Sequence, residues 1–227
     1  MNSLSNPEPK DLANNTPLGF EEPMRKENII IPRCKLIQGQ SPELHDKTLK
    51  HIKLGMIINS LTKDEMPPEF VPIFMYSQWL KFNPRKDGDP LYAPGALIYR
   101  TGDPLDKVVQ EEGKFGKDGE KPTITEFLNF FSFFPGSDMP VIVSFCNTSL
   151  KAGRELYTLA KMLGGNMFSH QYSLVSDEKS NDKGDFYVLK VRPNGKPADD
   201  VYKKCMGLYQ AFSPQRGNIQ AHEESEE

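Results

Sequence analysis

Residues 69–82 read EFVPIFMYSQWLKF, and this stretch decides the fold. At a strand's period of two, Val71, Ile73, Met75 and Trp79 fall on one face. Phe70, Phe74, Tyr76, Leu80 and Phe82 fall on the other. A strand that is apolar on both faces needs cover on both, as in the wall of a barrel. Pro72 lacks an N–H, which predicts an edge or a bulge at that point.

N-terminal to this strand, order is expected to begin at Ile29. In Ile31-Pro32-Arg33-Cys34-Lys35-Leu36 the odd positions after Ile31 are basic and the even ones apolar, predicting a strand with one wet face. Gly55–Ser60 predicts a second, short strand. C-terminal to it, residues 83–122 hold six glycines and five prolines and read as a functional or mobile loop insertion, with a short helix around Asp106–Glu112. Strands resume at Ile124–Phe134 and Val141–Cys146. Asn147, Thr148 or Ser149 then caps a helix whose stripe is Ala152, Leu156, Leu159, Ala160 and Leu163, and Gly164-Gly165 ends it. Residues 167–179 and 185–192 predict a hairpin, joined by the turn residues Ser180–Gly184. A last helix spans Pro197–Phe212, with Asp199 and Asp200 at its positive end. Strands and helices do not alternate regularly, which argues against a parallel α/β fold. The expectation is a mainly β, α+β domain with two helices: an OB-like Greek-key barrel over 29–212, with a long loop insertion at 83–122. Disordered acidic ends flank it, an N-terminal arm at 1–28 and a C-terminal tail at 213–227.

Composition sets outer limits. The 227 residues are 37 % hydrophobic and 26 % charged, which suits one soluble domain with much loop. No apolar run approaches the roughly 20 residues of a membrane helix. Residues 1–7 lack the basic start and apolar stretch of a secretory leader. Three distant cysteines, Cys34, Cys146 and Cys205, form no disulfide framework, and Cys34 and Cys146 read as buried thiols in a reducing compartment. The formal net charge is −3, yet both ends are acidic and the body between them is mildly basic.

Catalytic signatures are sparse. Pro193-Asn194-Gly195-Lys196 lacks the first glycine and the hydroxyl of a phosphate-cradling loop, and no H-e-x-x-H zinc motif occurs. His45, His51, His170 and His222 have no ligand spacing, so neither metal nor cofactor is expected. Asp177-Glu178-Lys179 has the acid-x-lysine spacing of metal-dependent nucleases, with Asp185 the further acid available. Such triplets are frequent by chance at hairpin ends, and a solvated hairpin tip is the better reading. No G-x-S-x-G elbow accompanies Ser144 or Cys146.

The positive signal is aromatic and basic residues interleaved on strands. Single-strand binders combine a basic groove with aromatic faces on which bases stack, at about 1–3 kcal/mol per base. The candidates are Arg33 and Lys35; Tyr76, Trp79 and Lys81; Tyr172, Lys179, Lys183, Tyr187, Lys190 and Arg192 on the hairpin; and Lys151 and Arg154, whose helix start also offers free N–H groups. Against them stands the ordinary role of strand aromatics as core, to which Phe70, Phe74, Phe127, Phe131 and Phe145 are assigned.

Ile31-Pro32-Arg33-Cys34-Lys35-Leu36-Ile37-Gln38-Gly39, followed by Ser41-Pro42-Glu43, resembles the opening of a group of phage-encoded proteins. Gly55-x-Ile57-x-Asn59-Ser60-Leu61-Thr62, Phe70-Val71-Pro72, Ser144-Phe145, Thr148-Ser149-x-Lys151-Ala152-Gly153 and Asn181-Asp182-Lys183-Gly184 continue the resemblance. The group is similar to phage single-stranded-DNA-binding replication proteins, with an OB fold and an acidic C-terminal tail. The resemblance implies a non-catalytic, sequence-tolerant protein in the host-cell cytoplasm. It would coat and protect transient single strands in replication or recombination and meet other replication proteins through its tail. The alternatives are a Mg²⁺-dependent nuclease built on Asp177 and Lys179, and a non-catalytic virion or adaptor protein.

On the first reading, deleting Gln220–Glu227 tightens the binding of an oligo-dT. Four glutamates then no longer compete for the basic groove. Unchanged or weaker affinity in a fluorescence anisotropy titration refutes the competition.

Overall fold

The long apolar stretch forms one strand, β4 (Glu69–Phe82), and the whole sheet is arranged around it. The computed structural model describes residues 30–117, 120–182 and 184–221. In chain order the strands before β4 are β1 (Ile30–Ile31), β2 (Cys34–Leu36) and β3 (Ile57–Asn59). Those after it are β5 (Leu97–Thr101), β6 (Ile124–Phe133), β7 (Val141–Cys146), β8 (Tyr172–Asn181), β9 (Gly184–Pro193) and β10 (Gln220–Ala221). The helices are α1 (Lys107–Glu112), α2 (Leu150–Leu163) and α3 (Asp199–Phe212).

Strand β6 runs antiparallel to β4 from Val71↔Phe133 to Lys81↔Ile124, and the register shifts between Pro72 and Phe74. The shift falls where the proline has no N–H for the ladder. The main sheet has the order β7-β6-β4-β8-β9, with β5 also on β4. Strands β8 and β5 share the edge of β4 away from β6. The former takes its start (Glu69↔Ser173, Phe70↔Tyr172) and the latter its end (Trp79↔Thr101 to Phe82↔Leu97).

Both faces of β4 and β6 carry large rings. Phe70, Phe130, Phe134 and Phe145 lie on one face, in a core closed by Ala152, Leu156 and Ala160 of α2. Val71, Ile73, Phe74, Phe131 and Phe133 lie on the other, closed by Cys205 with the partly buried Val201, Met206 and Leu208 of α3. Phe74 and Phe131 stack at 4.7 Å.

This arrangement corrects the expected barrel. The fold is mainly β with few helices, but the sheet stays open. Strands β7 and β9 end its order, and no pairing joins them among the described residues. A closed barrel has one interior for side chains. Here two sets of aromatic rings point in opposite directions, and each is roofed by its own helix.

The insertion at 83–122 also differs from a plain loop. It contributes β5 to the sheet, and α1 forms where a short helix was expected, with Asp106 as its N-cap. At the C-terminus, Ser213–Asn218 form a 3-10 turn, Ile219 is buried in the core beneath α3, and β10 pairs in parallel with β1. The fold therefore continues through 213–221, which the sequence placed in the tail. Removing Gln220–Glu227 takes β10 with the charge, and a clean charge test begins at His222. The N-terminal arm 1–28 and residues 222–227 lie outside the described residues. No helix among those described is long and apolar enough to cross a membrane.

Cys34 and Cys205 are buried and Cys146 is half-buried. Burial pushes the Cys205 thiol up to about 12 and raises Cys34 and Cys146 as well.

Helix α2 approaches β7 closely because residue 153 is glycine: a Cβ there would lie 2.8 Å from Cβ of the fully buried Phe145. Gly153→Ala gains about 1 kcal/mol of helix propensity. It is nonetheless expected to destabilise the protein by about 1–3 kcal/mol through overpacking. An unchanged or raised urea midpoint would contradict this contact.

Candidate nucleic-acid interface

The β8–β9 hairpin has two faces of different chemistry, set by its register. Leu174↔Val191 and Ser176↔Leu189 turn toward α2, and Leu174 and Leu189 are buried in that core. The pairs between them face the other way: Ser173↔Arg192, Val175↔Lys190, Asp177↔Val188 and Lys179↔Phe186. This outer face therefore gathers Lys179, Lys190 and Arg192 with the half-buried side chains of Val175, Phe186 and Val188.

Asp177 organises the two lysines. Its Oδ2 lies 2.7 Å from Lys190 Nζ and 2.9 Å from Lys179 Nζ. These contacts, Lys190 first, hold its carboxyl below the usual carboxylate range. Arg192 is exposed and has no carboxylate partner among the described residues. The face thus carries three cations against one acid. Phe186 was missed from sequence, where Tyr187 was chosen. The signal was the alternation itself, which puts 186 with 190 and 192, and 187 with the core.

Tyr187 serves the other face. Its ring packs on Gly55, where a Cβ would lie 2.5 Å from the ring. That glycine also has a φ of +77°, a region side chains disfavour. The Gln38 amide bonds both backbone groups of Tyr187, accepting from its N–H at 3.0 Å and donating to its carbonyl at 2.7 Å. Burial first, then Glu178, raises the phenol's pKa.

The remaining candidates disperse. Tyr76 and Tyr172 are core residues, 8 % and 0 % exposed. Lys35 is paired at 2.7 Å with the buried Glu43, which Lys63 also approaches at 3.3 Å. Arg33 is half-buried, and its N–H donates to Ser60 Oγ at 3.0 Å. Trp79 is half-buried on β4 between Thr101 and Glu126. Lys151 and Arg154 sit on α2, beyond the hairpin's inner face, with Glu155 and Glu126 at 3.9 and 3.0 Å. Lys183 lies outside the described residues. A single groove through all thirteen is not formed; the outer hairpin face keeps Lys179, Lys190 and Arg192.

The nuclease arrangement is not assembled either. Asp185 pairs with Ser180 and faces opposite to Asp177, whose carboxylate is occupied by two lysines. Among the described residues no group of three or more His, Cys, Asp or Glu is placed to hold a metal.

Lys81, read as a groove cation, instead anchors the insertion: its Nζ lies 2.6 Å from Glu112 Oε2, which also accepts from the Thr123 hydroxyl. Tyr99 donates to Asp106 at 2.6 Å. Residues 83–96 wind around the buried Asn83 side chain. It donates to the carbonyls of Asp89, Tyr92 and Ala93 and accepts from the Asp89 N–H. The loop so held displays Leu91 at 86 % exposure. A buried amide with its hydrogen bonds met builds a rigid loop.

Lys81, then Thr123, lowers the Glu112 pKa, and Tyr99 with the Val108 N–H lowers that of Asp106. Both folded values lie below the ordinary carboxylate value of about 4. Their stabilisation is therefore present above pH 4 and is lost as pH falls through the lowered values. Acidification from pH 6 to pH 3 is expected to raise amide exchange over 97–112 before it does so in β4 and β6. Equal loss of protection in both regions, after correction for intrinsic rates, contradicts these anchors.

A family model described as Pam3 phage gp34-like protein matches residues 2–218. No curated protein and no solved structure matches the chain.

Proposed function

We propose, from the premise that the chain belongs to the Pam3 phage gp34-like family, that this phage protein binds single-stranded DNA without catalysis. The observation that carries the reading is the outer face of the β8–β9 hairpin. Lys179, Lys190 and Arg192 there stand among Phe186, Val175 and Val188. Cations on one face suit a strand's phosphates, and the Phe186 ring offers a base a surface to stack on. Cations and a ring dominate this face, so the binding is sequence-tolerant and electrostatic. The role is to coat and protect transient single strands in phage replication or recombination, in the host cytoplasm. The acidic tail recruits partner proteins. The reading needs no OB-type closure, because a two-stranded ribbon presents its face without a barrel.

The built loop at 83–96 favours a second reading, that of an adaptor. Asn83 holds Leu91 and Tyr92 outward at 86 % and 48 % exposure, as a protein partner would require. Leu91→Asp then abolishes association with that partner and leaves DNA affinity unchanged.

The test is anisotropy of a labelled oligo-dT across a salt series, with duplex as competitor. Three cations on a single strand give a log K against log salt slope of about −2. Arg192→Ala flattens that slope by about 0.7. Phe186→Ala weakens binding by about 1–3 kcal/mol. Asp177→Asn, which frees two lysines, tightens it. No binding at low salt, or slopes indifferent to Arg192, overturns the proposal.

A further inference from the structure

The edge of β4 facing β8 and β5 has a gap, because those two strands cover only its start and its end. A cavity of about 450 Å³ opens there, lined by Ile73–Met75 of β4, Tyr157 of α2, Asn166–Phe168, Met206 and Tyr209 of α3, and Arg216. Its volume lies within the range of small-molecule sites.

The lining has a consistent chemistry. Tyr157 and Tyr209 come from helices on opposite faces of the sheet, yet both reach this cavity, and both remain over a third exposed. Met75, Met167 and Met206 add soft, adaptable thioethers. The Asn166 amide is already committed, to the Tyr202 hydroxyl at 3.1 Å and to the capping turn at Ser169. That leaves Arg216 as the cation of the site. Its Nε donates to the Ser213 carbonyl at 3.3 Å, which leaves its terminal nitrogens with no carboxylate partner among the described residues. A second cation is close to one wall: Lys161 Nζ lies 5.8 Å from the Tyr157 ring centre. No acid lines the cavity among the described residues.

Flat aromatic walls, polarisable sulfurs, an uncommitted guanidinium and no acid select a planar ring that carries an anion. We infer that this cavity binds a nucleoside monophosphate unit, its base between Tyr157 and the methionines and its phosphate on Arg216. The unit is either a free nucleotide or the 5′-phosphorylated end of a strand. The site is separate from the outer hairpin face, and either can fail without the other.

The experiment is calorimetric titration of the full chain with dTMP, dGMP and thymidine, and with oligo-dT bearing or lacking a 5′-phosphate. It is repeated with Tyr157→Ala, Arg216→Ala and Arg216→Lys. Both native side chains are exposed on the surface, and thermal melts verify that the variants fold. Saturable mononucleotide binding is expected, at least fivefold weaker for thymidine, Tyr157→Ala and Arg216→Ala and partly restored in Arg216→Lys. A free nucleotide is then the occupant. If the mononucleotides fail but a 5′-phosphate tightens oligo-dT binding, and both alanine variants remove that gain, the occupant is a strand end. Absence of both effects, or binding indifferent to both alanine substitutions, overturns the inference even where oligo-dT still binds. Mononucleotide binding without oligo-dT binding sustains the cavity and removes the hairpin reading.

Discussion

Everything in this structure follows from two neighbouring strands whose side chains are apolar on both faces. Strand β6 is buried along most of its length, and β4 has Phe70 on one side and Phe74 on the other. Burying a phenylalanine is worth about 1.5–3 kcal/mol, so neither face tolerates being left in water. Helix α2 answers one set of rings and α3 the other. The glycine at 153 and the partial helix at 167–169 exist where those covers must come close or turn. The open sheet is the outcome of having two cores to close.

Much of this was legible in the residues. The bounds of β4, β6 and β7 follow from alternation, and both long helices follow from their stripes. The hairpin was legible too, but its first arm begins at Tyr172 and not at 167, because Met167–Ser169 turn as a 3-10 helix. What failed had a common cause. Strand β5, LIYRT, is hidden among the glycines and prolines of 83–122, because local composition does not show that β4 has a vacant edge for it. Strand β10 is two residues at the end of a polar stretch, and it takes shape from β1, far away in the chain. The barrel was inferred from β4 being covered on both sides, and alternation cannot distinguish a barrel wall from a sheet between two helices.

The site was less legible than the fold, for an electrostatic reason. A sequence displays every lysine and none of its partners. Lys35, Lys81 and Arg154 look available in one dimension, yet each meets a carboxylate from another segment: Glu43, Glu112 and Glu126. Tyr76 and Tyr172 look like stacking surfaces and are core. On the hairpin, by contrast, partners are fixed by register. Alternation alone was enough to separate Phe186 from Tyr187, and reading it through would have placed the aromatic beside the cations.

The parallel pairing of β1 with β10 has a mechanical meaning. Ile30 lies opposite Gln220 and Ile31 opposite Ala221. The chain therefore enters at one end of this short pair and leaves at the other. Tension applied between the two termini runs along both strands in opposite senses, so their hydrogen bonds are loaded together in shear. A hairpin pulled at its open end peels one bond at a time. Here the two-residue pair acts as a latch, and pulling on the ends reaches α3 and the sheet beneath it only after the latch gives way.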